Sequence, residues 1–577
     1  MRNTTSSIRR RFLALWLLLA LILPLPTSMA RAEDGEGEVW PEDGAEAYDP
    51  TAELAGDYQA AGEATAGEVS ETTGDGALAA DLSGSYMPTA DMETADIVIG
   101  YVAPAGAAIS PAVCTEWSLV NINQLIFESV VDLDASMKPI PMLADSWEQE
   151  GKTWVFKLRP GVQFHNGMEL TAYDVVRSYE TLITSYADNP WYGRLTAIAS
   201  MEATDIYNVT VVGTTAGLAT LYAMNFPVMQ YNTLGDAMPR GTGPYWFIQR
   251  DLNDTIRLEA NPLWWKKQPT IHSLLFKRFN ESGDVIEAVH THQIDMMATN
   301  SSKAAFSRKM ADLTSMDYLT QTYELLIPNL SEKSIFSDLR ARKAVMYAID
   351  RAVLTSNAYL DMAVQCEVPV PPTCWLYESQ SAYYYYSPER ALQLMHELEW
   401  FDLNGDGTLN KVNGVRLVEP DLTIITYNES TNSVRENAAN LIANYLRAIG
   451  VSCTVYVRSQ ARVRQLIKDR AFDLALVGFN LSEVPDLMPI FGRNEVLNLN
   501  GFGNDDMQTY LEAVRDSSDE TLIKDNYSRM QKYIVDRLPV LGMVFRTGTV
   551  LSNRSLGGLT ALRNYDTFNG FEFLMTG

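Results

Sequence analysis

Apolar and polar positions alternate most regularly over residues 153–183, TWVFKLRPGVQFHNGMELTAYDVVRSYETLI. Trp154, Phe156 and Leu158 alternate with Val155, Lys157 and Arg159, which predicts a strand with one apolar and one more polar face. Pro160-Gly161 turns the chain, because proline presets φ and glycine tolerates a positive one. Val162 and Phe164 resume a short alternation up to a second tight turn at Asn166-Gly167. Thr171 and Asp174 have the spacing of a capping box. Behind them Val175, Val176, Tyr179, Leu182 and Ile183 fall on one helical face.

The same reading extends along the chain. Ile97 to Tyr101 is a buried strand, and a helix follows in which Val120, Leu125, Ile126 and Val130 face a core. Gly241-Thr242-Gly243-Pro244-Tyr245 is a glycine turn feeding a strand; without a lysine it is no phosphate loop. Ser337 or Asp338 caps a helix that turns Ala344, Val345, Tyr347, Ala348 and Ile349 inward. The stretch 420–430, PDLTIITYNES, reads as a strand, followed by a helix whose apolar face holds Ala438, Leu441, Ile442, Tyr445 and Leu446. A second buried strand runs from Leu474 to Phe479, and near the end Leu538-Pro539-Val540 opens a last strand. Alternation of strands and helices predicts an α/β fold, a mixed sheet with helices on its faces. Ligands of such sheets bind in crevices beyond strand ends.

Charge and cysteine usage narrow the function. The formal net charge of −27 argues against a nucleic-acid partner. Of that excess, 18 Asp and Glu without a Lys or Arg lie in residues 33–96. Few large aliphatics and one-sided charge predict a disordered acidic linker over 33–95. Before it, Arg2 and Arg9 to Arg11 precede an apolar run from Phe12 to Leu25 and an Ala30-x-Ala32 site. That run is shorter than the ~20 residues of a spanning helix, which favours a secretory signal (1–32) cleaved after Ala32 over a retained anchor. Export places Cys114, Cys366, Cys374 and Cys453 where disulfides persist. A local Cys366–Cys374 bridge is expected, with Cys114 and Cys453 either paired or buried and reduced.

Catalytic and metal motifs are sparse. No G-x-S-x-G, H-E-x-x-H or C-x-x-C occurs, so no motif argues for an enzyme or a cofactor, and neither is expected. His290 and His292 diverge on a helix. Asp402, Asn404 and Asp406, with Gly407, copy the first half of a calcium loop, but Asn413 stands where the bidentate Glu belongs, so the candidate is weak.

Several of these stretches resemble one family. LADSWE…GKTWVFKLRPGVQFHNGMELTAYDVV, GTGPY, NPLWW, DVIEAVHTHQIDMM and SIFSDLRARKAVMYAIDRAVL agree in order with the extracytoplasmic solute-binding proteins of family 5. The resemblance implies a periplasmic-binding-protein-like fold: two lobes around a cleft, with an extra subdomain in the first. Lobe I would span 96–325, including an inserted subdomain at about 131–235. Lobe II would span 326–535, and 536–577 would return to lobe I. The function implied is a monomeric receptor that encloses an oligopeptide or dipeptide and delivers it to an ABC importer permease. A sugar, opine or metal chelate as ligand, or a surface sensor that does not transport, is the alternative. The family places Glu116 and Trp117 at the cleft and Asn329 on its wall. Its G-W-x-A-D-Y loop, whose aspartate takes a peptide's ammonium, corresponds to Gly478-Phe479-Asn480-Leu481-Ser482-Glu483. The aspartate position falls on Ser482 without a gap or on Glu483 with one inserted residue, and Asp486 is a further candidate. No cysteine precedes Cys114, so the lipid anchor common in such receptors is missing, and the expected location is the periplasm or the outer face of the cytoplasmic membrane.

Overall fold

The structure is a computed structural model that describes residues 92–574 apart from 186–188, 381–383 and 430–432. The expected signal and residues 33–91 of the expected linker lie outside the described residues.

Two long antiparallel strands, Thr314–Pro328 and Leu541–Ser552, form the axis of an eleven-stranded sheet. On one side of this pair lie Leu474–Asn480, Leu422–Tyr427 and Cys453–Arg458, and on the other Met296–Thr299, Ile97–Val102, Ser273–Phe279, Ile256–Ala260 and Tyr245–Arg250. Parallel pairing appears in both halves, between Leu422–Tyr427 and its two neighbours and between Ile97–Val102 and its two. The helices needed to connect parallel strands pack on the faces, giving the mixed α/β architecture. One apolar core gathers Ile97 to Met296 with Val550 and the C-terminal Leu556 to Leu574, and a second gathers Tyr323 to Phe545. Both long strands contribute to both cores, so the chain crosses between the lobes along them.

The alternation at 153–158 is realised residue by residue: Trp154, Phe156 and Leu158 are buried while Val155 and Lys157 are exposed. This strand lies in a separate four-stranded antiparallel sheet with Ala144–Glu150, Asn208–Gly213 and Ile198–Ala203. Helix Ala172–Ile183 starts from Thr171, whose hydroxyl and N–H both reach the Asp174 carboxylate, at 2.8 and 2.9 Å. The helix Leu339–Ala348 is capped by Asp338, which accepts from the N–H of Arg340.

The family-like words GTGPY and NPLWW build one structural node. A Cβ on Gly241 or Gly243 would run into the Ile126 backbone, so only glycine lets the two segments approach. Gly243 and Tyr245 donate to the Ile126 and Leu125 carbonyls, both at 3.0 Å. Beside them the buried Glu128 accepts from Thr242, Trp264 and Trp265 at 2.8, 3.1 and 2.8 Å. Burial pushes its carboxyl up, against the pull of Lys266. These residues fasten lobe I together.

Two expectations change, and one left open is decided. The last strand begins at Leu541: Leu538 closes helix Glu520–Arg537 in the left-handed region, and Pro539 has no N–H to give a ladder. The four cysteines are free and buried. The Cys366 thiol points to the carbonyls of Val368 and Val370 inside its own proline-rich loop, away from a bridge to Cys374. For Cys114 and Cys453 the second alternative holds: both are buried and free, in different cores.

Candidate functional site

A cavity of about 460 Å³ opens where the long strands cross between lobes. Its floor is a defect in the sheet. Leu319 faces Thr547 and Tyr323 faces Phe545, so Thr320, Gln321 and Thr322 oppose Arg546 alone. A bulge of this kind bends a strand and re-aims its side chains. Here Thr320 ties it off by donating to the Arg546 carbonyl at 3.0 Å, and Gln321 turns into the cavity.

One wall is the loop that follows Leu474–Asn480. Its backbone departs from the sheet after Leu481 donates to the Gln321 carbonyl at 2.9 Å. Pro485 has no N–H for further ladder pairing, and Asp486 accepts from the Met488 N–H at 2.8 Å where the short helix Met488–Phe491 begins, with Pro489 in its first turn. The opposite wall comes from residues beside the four-stranded sheet, chiefly Gly193, Arg194, Thr196, Ala197, Thr214 and Thr215. The proline-rich loop at 369–374 supplies the side between them, so the lining is mostly apolar with a few polar groups.

An ion pair joins these walls. Arg194 Nη2 lies 2.7 Å from Glu483 Oε2, with side-chain exposures of 7% and 4%. Arg194 is oriented by Asn225, whose side-chain oxygen it meets at 3.0 Å. Close behind, Arg563 meets Asp132 and Asp566 at 3.0 and 3.1 Å. A second clasp closes the outer rim: Trp375 donates through its backbone to Ser136 at 2.9 Å and through Nε1 to the Tyr222 hydroxyl at 3.0 Å. Lys138 stacks over the same indole and pairs with Glu520 at 2.8 Å.

Of the residues the sequence nominated, Asn480, Ser482, Glu483 and Asp486 line the cavity. Ser482 is exposed and accepts from the Val484 N–H, Asn480 hydrogen-bonds Tyr565, and Glu483 is held by Arg194. Phe479 is buried in the lobe II core beside Tyr323. Trp117 spends its Nε1–H on the Asn564 carbonyl, and Glu116 precedes its helix as the N-cap, so neither forms the cavity wall. Asn329 lies beyond Pro328, which pairs with Leu474, whereas Asn480 pairs with Thr322. Six strand residues, roughly 20 Å, separate the two ends. Its amide binds the Arg470 and Phe472 carbonyls.

The calcium-like loop is closed on itself. Asp402 accepts from Gly405 and Gly407, Asp406 from Thr408 and Asn404, and among the described residues no three His, Cys, Asp or Glu gather as a metal site. His290 bonds Ser307, and His292 turns away with a positive φ. Sequence reasoning missed Arg194, Gln321 and Phe545, none of which sits in a motif.

Two α/β lobes joined by crossing strands, with a partly open cavity at the crossing, are the arrangement of a binding protein that takes a small solute between its lobes. Residues 138–493 match the family described as bacterial extracellular solute-binding proteins, family 5 Middle, and the chain belongs to that family. It is 23% identical over 498 residues to the oligopeptide-binding protein AppA of Bacillus subtilis, covering 82% of this chain and 90% of that one. Heme-binding protein A of Haemophilus influenzae is 25% identical, covering 81% and 90%. A solved nickel ABC transporter structure from Bacillus halodurans shares the fold with a TM-score of 0.72 at 18% identity, over 82% of this chain and 99% of that one. No described helix is long and apolar enough to cross a membrane.

Proposed function

We propose that the chain is the extracytoplasmic receptor of an ABC importer and that its cargo is a short peptide. The observation that carries this reading is the cleft-like cavity of about 460 Å³ at the bulge of the crossing strand, within the range of sites for small ligands. The Gln321 amide and the backbone of the 480–485 loop give an extended peptide hydrogen-bonding partners, and the apolar lining accepts its side chains. Relatives named for oligopeptides and dipeptides support the choice. The receptor is exported behind a signal cleaved after Ala32 and works as a monomer in the periplasm or at the outer face of the cytoplasmic membrane. It hands its cargo to a permease when the lobes open and acts by binding, without turnover. The competing reading is a non-peptide solute such as a metal chelate, favoured by relatives named for nickel and heme.

Native mass spectrometry of residues 33–577, followed by denaturing release, tests the proposal. A spread of released peptide masses is the expected result. A single non-peptide mass would replace the peptide with that solute.

A further inference from the structure

Many cations on the surface have a carboxylate beside them: Lys138 pairs with Glu520, Lys309 with Asp361, Lys411 with Glu399 and Arg554 with Asp295. One stretch departs from this. In residues 458–470, RSQARVRQLIKDR, the side chains of Arg458, Arg462, Arg464, Lys468 and Arg470 are exposed, and none forms an ion pair among the described residues. The single acid there, Asp469, accepts from the Gln465 amide with both oxygens, each at 2.8 Å. In a chain of net charge −27, five unpaired cations within 13 residues are a local reversal of sign.

The fold sets where they point. Helix Gln460–Lys468 buries Val463 and Ile467 in the lobe II core, so Arg462, Arg464 and Lys468 stand around its outward side. The helix follows Cys453–Arg458, the outermost strand of the sheet on that side, and none of the five cations lines the cavity. The arrangement does nothing for the helix itself. Arg464 and Lys468 are like charges one turn apart, and Arg462 sits in a first turn that holds no acid, where the helix dipole disfavours a cation. The kind of anion that suits this face follows from what it lacks. Between the cations it offers Ser459, Ala461 and Gln465, with no large apolar side chain to anchor a folded protein partner.

We infer that residues 458–470 form a membrane-docking surface, on which the five cations meet the phosphates of an anionic phospholipid bilayer and hold lobe II against it. Each cation at such a surface adds to the attraction, and screening over about 8–10 Å keeps the acidic remainder of the chain from cancelling it. The inference rests on the extracytoplasmic placement proposed above and is independent of the cargo.

Co-sedimentation of the mature protein with vesicles tests the assignment. The wild type is expected to bind vesicles of phosphatidylglycerol and phosphatidylcholine at least about tenfold more tightly than vesicles of phosphatidylcholine alone, and to lose that preference between about 50 and 500 mM salt. Replacing Arg462, Arg464 and Lys468 together by Gln should weaken binding to the anionic vesicles by about a hundredfold. Arg462→Lys with Arg464→Lys, which keeps the charge, should bind as the wild type does. Equal binding of the wild type to both vesicles, or to neither, overturns the inference; this comparison needs no variant to fold, and retained peptide cargo in the same sample leaves the receptor reading standing. Capture of the wild type by poly-glutamate as tightly as by the anionic vesicles would assign the face to an acidic protein segment and remove the lipid.

Discussion

Replacing Glu324 by Gln perturbs the centre of the crossing strand without changing its shape. Glu324 has no solvent exposure. Its oxygens accept from Arg435 Nε and Nη2 at 2.9 and 2.8 Å, and Arg546 approaches to 2.7 Å. Glu429 meets both arginines at 2.9 Å from the more exposed side. An amide leaves two buried guanidiniums sharing one partly exposed carboxylate. Removing one member of a buried pair costs about 3–5 kcal/mol, and the remaining Glu429 places this case at the lower end, near ~3 kcal/mol. Urea unfolding at pH 7, followed by tryptophan fluorescence, measures it as a lower midpoint at unchanged slope. The acid limb supplies a second check. Burial alone would raise the Glu324 carboxyl, but Arg546 and Arg435 outweigh it and hold the group below its usual value. A lowered folded value means the stabilisation is complete above the unfolded value of about 4.3 and is lost as pH falls through the folded one. The gap between wild type and Glu324→Gln should therefore be widest at neutral pH and shrink below about pH 4. A cost under ~1 kcal/mol, or a gap that widens in acid, would refute the network as described.

Gly478→Ala should destabilise by about 1–3 kcal/mol in the same assay, since its Cβ would meet Arg435 Nη2 at 2.5 Å and Glu324 Oε1 at 3.0 Å. Glu128→Ala should cost at least about 3 kcal/mol, seen as a lower unfolding temperature, because Thr242, Trp264 and Trp265 lose their shared acceptor. Thiol titration without reductant should find four reactive groups in urea and almost none in the native state, whereas two fewer would mean a disulfide. Burial raises Asp566 to about 7 despite Arg563, so its share of stability is present in acid and lost as pH rises through 7. Asp566→Asn should make the unfolding temperature vary less between pH 5 and 8; an unchanged profile would count against this.

What the chain states locally and what only the fold assembles differ for a physical reason. Burial follows periodicity, so the alternation at 153–158 and the helical face at 172–183 could be read directly, because each side chain's direction is set by its immediate backbone. The cleft loop could also be read, since Gly478 to Glu483 forms a contiguous word. Its chemistry could not: Arg194 and Glu483 are 289 positions apart, and nothing in the run around Arg194 distinguishes it from a surface arginine. Gln321 was hidden for a related reason. In TQTYELLIP it looks like one polar step of an alternating strand, and it faces the cavity only because three residues bulge against Arg546. Cys366 and Cys374 misled because proximity in sequence says little about where Pro369, Pro371 and Pro372 send a loop.

The energetics point the same way. A buried ion pair returns little net stability, since the attraction is largely offset by the cost of desolvating both charges. Arg194–Glu483 is thus poorly suited to locking the lobes permanently and well suited to a closure that must reverse. The cost of leaving either charge alone is large, so any solute that separates the pair must supply a replacement for each partner. Discrimination at the cavity then rests on the charge a ligand brings, more than on the apolar area it buries.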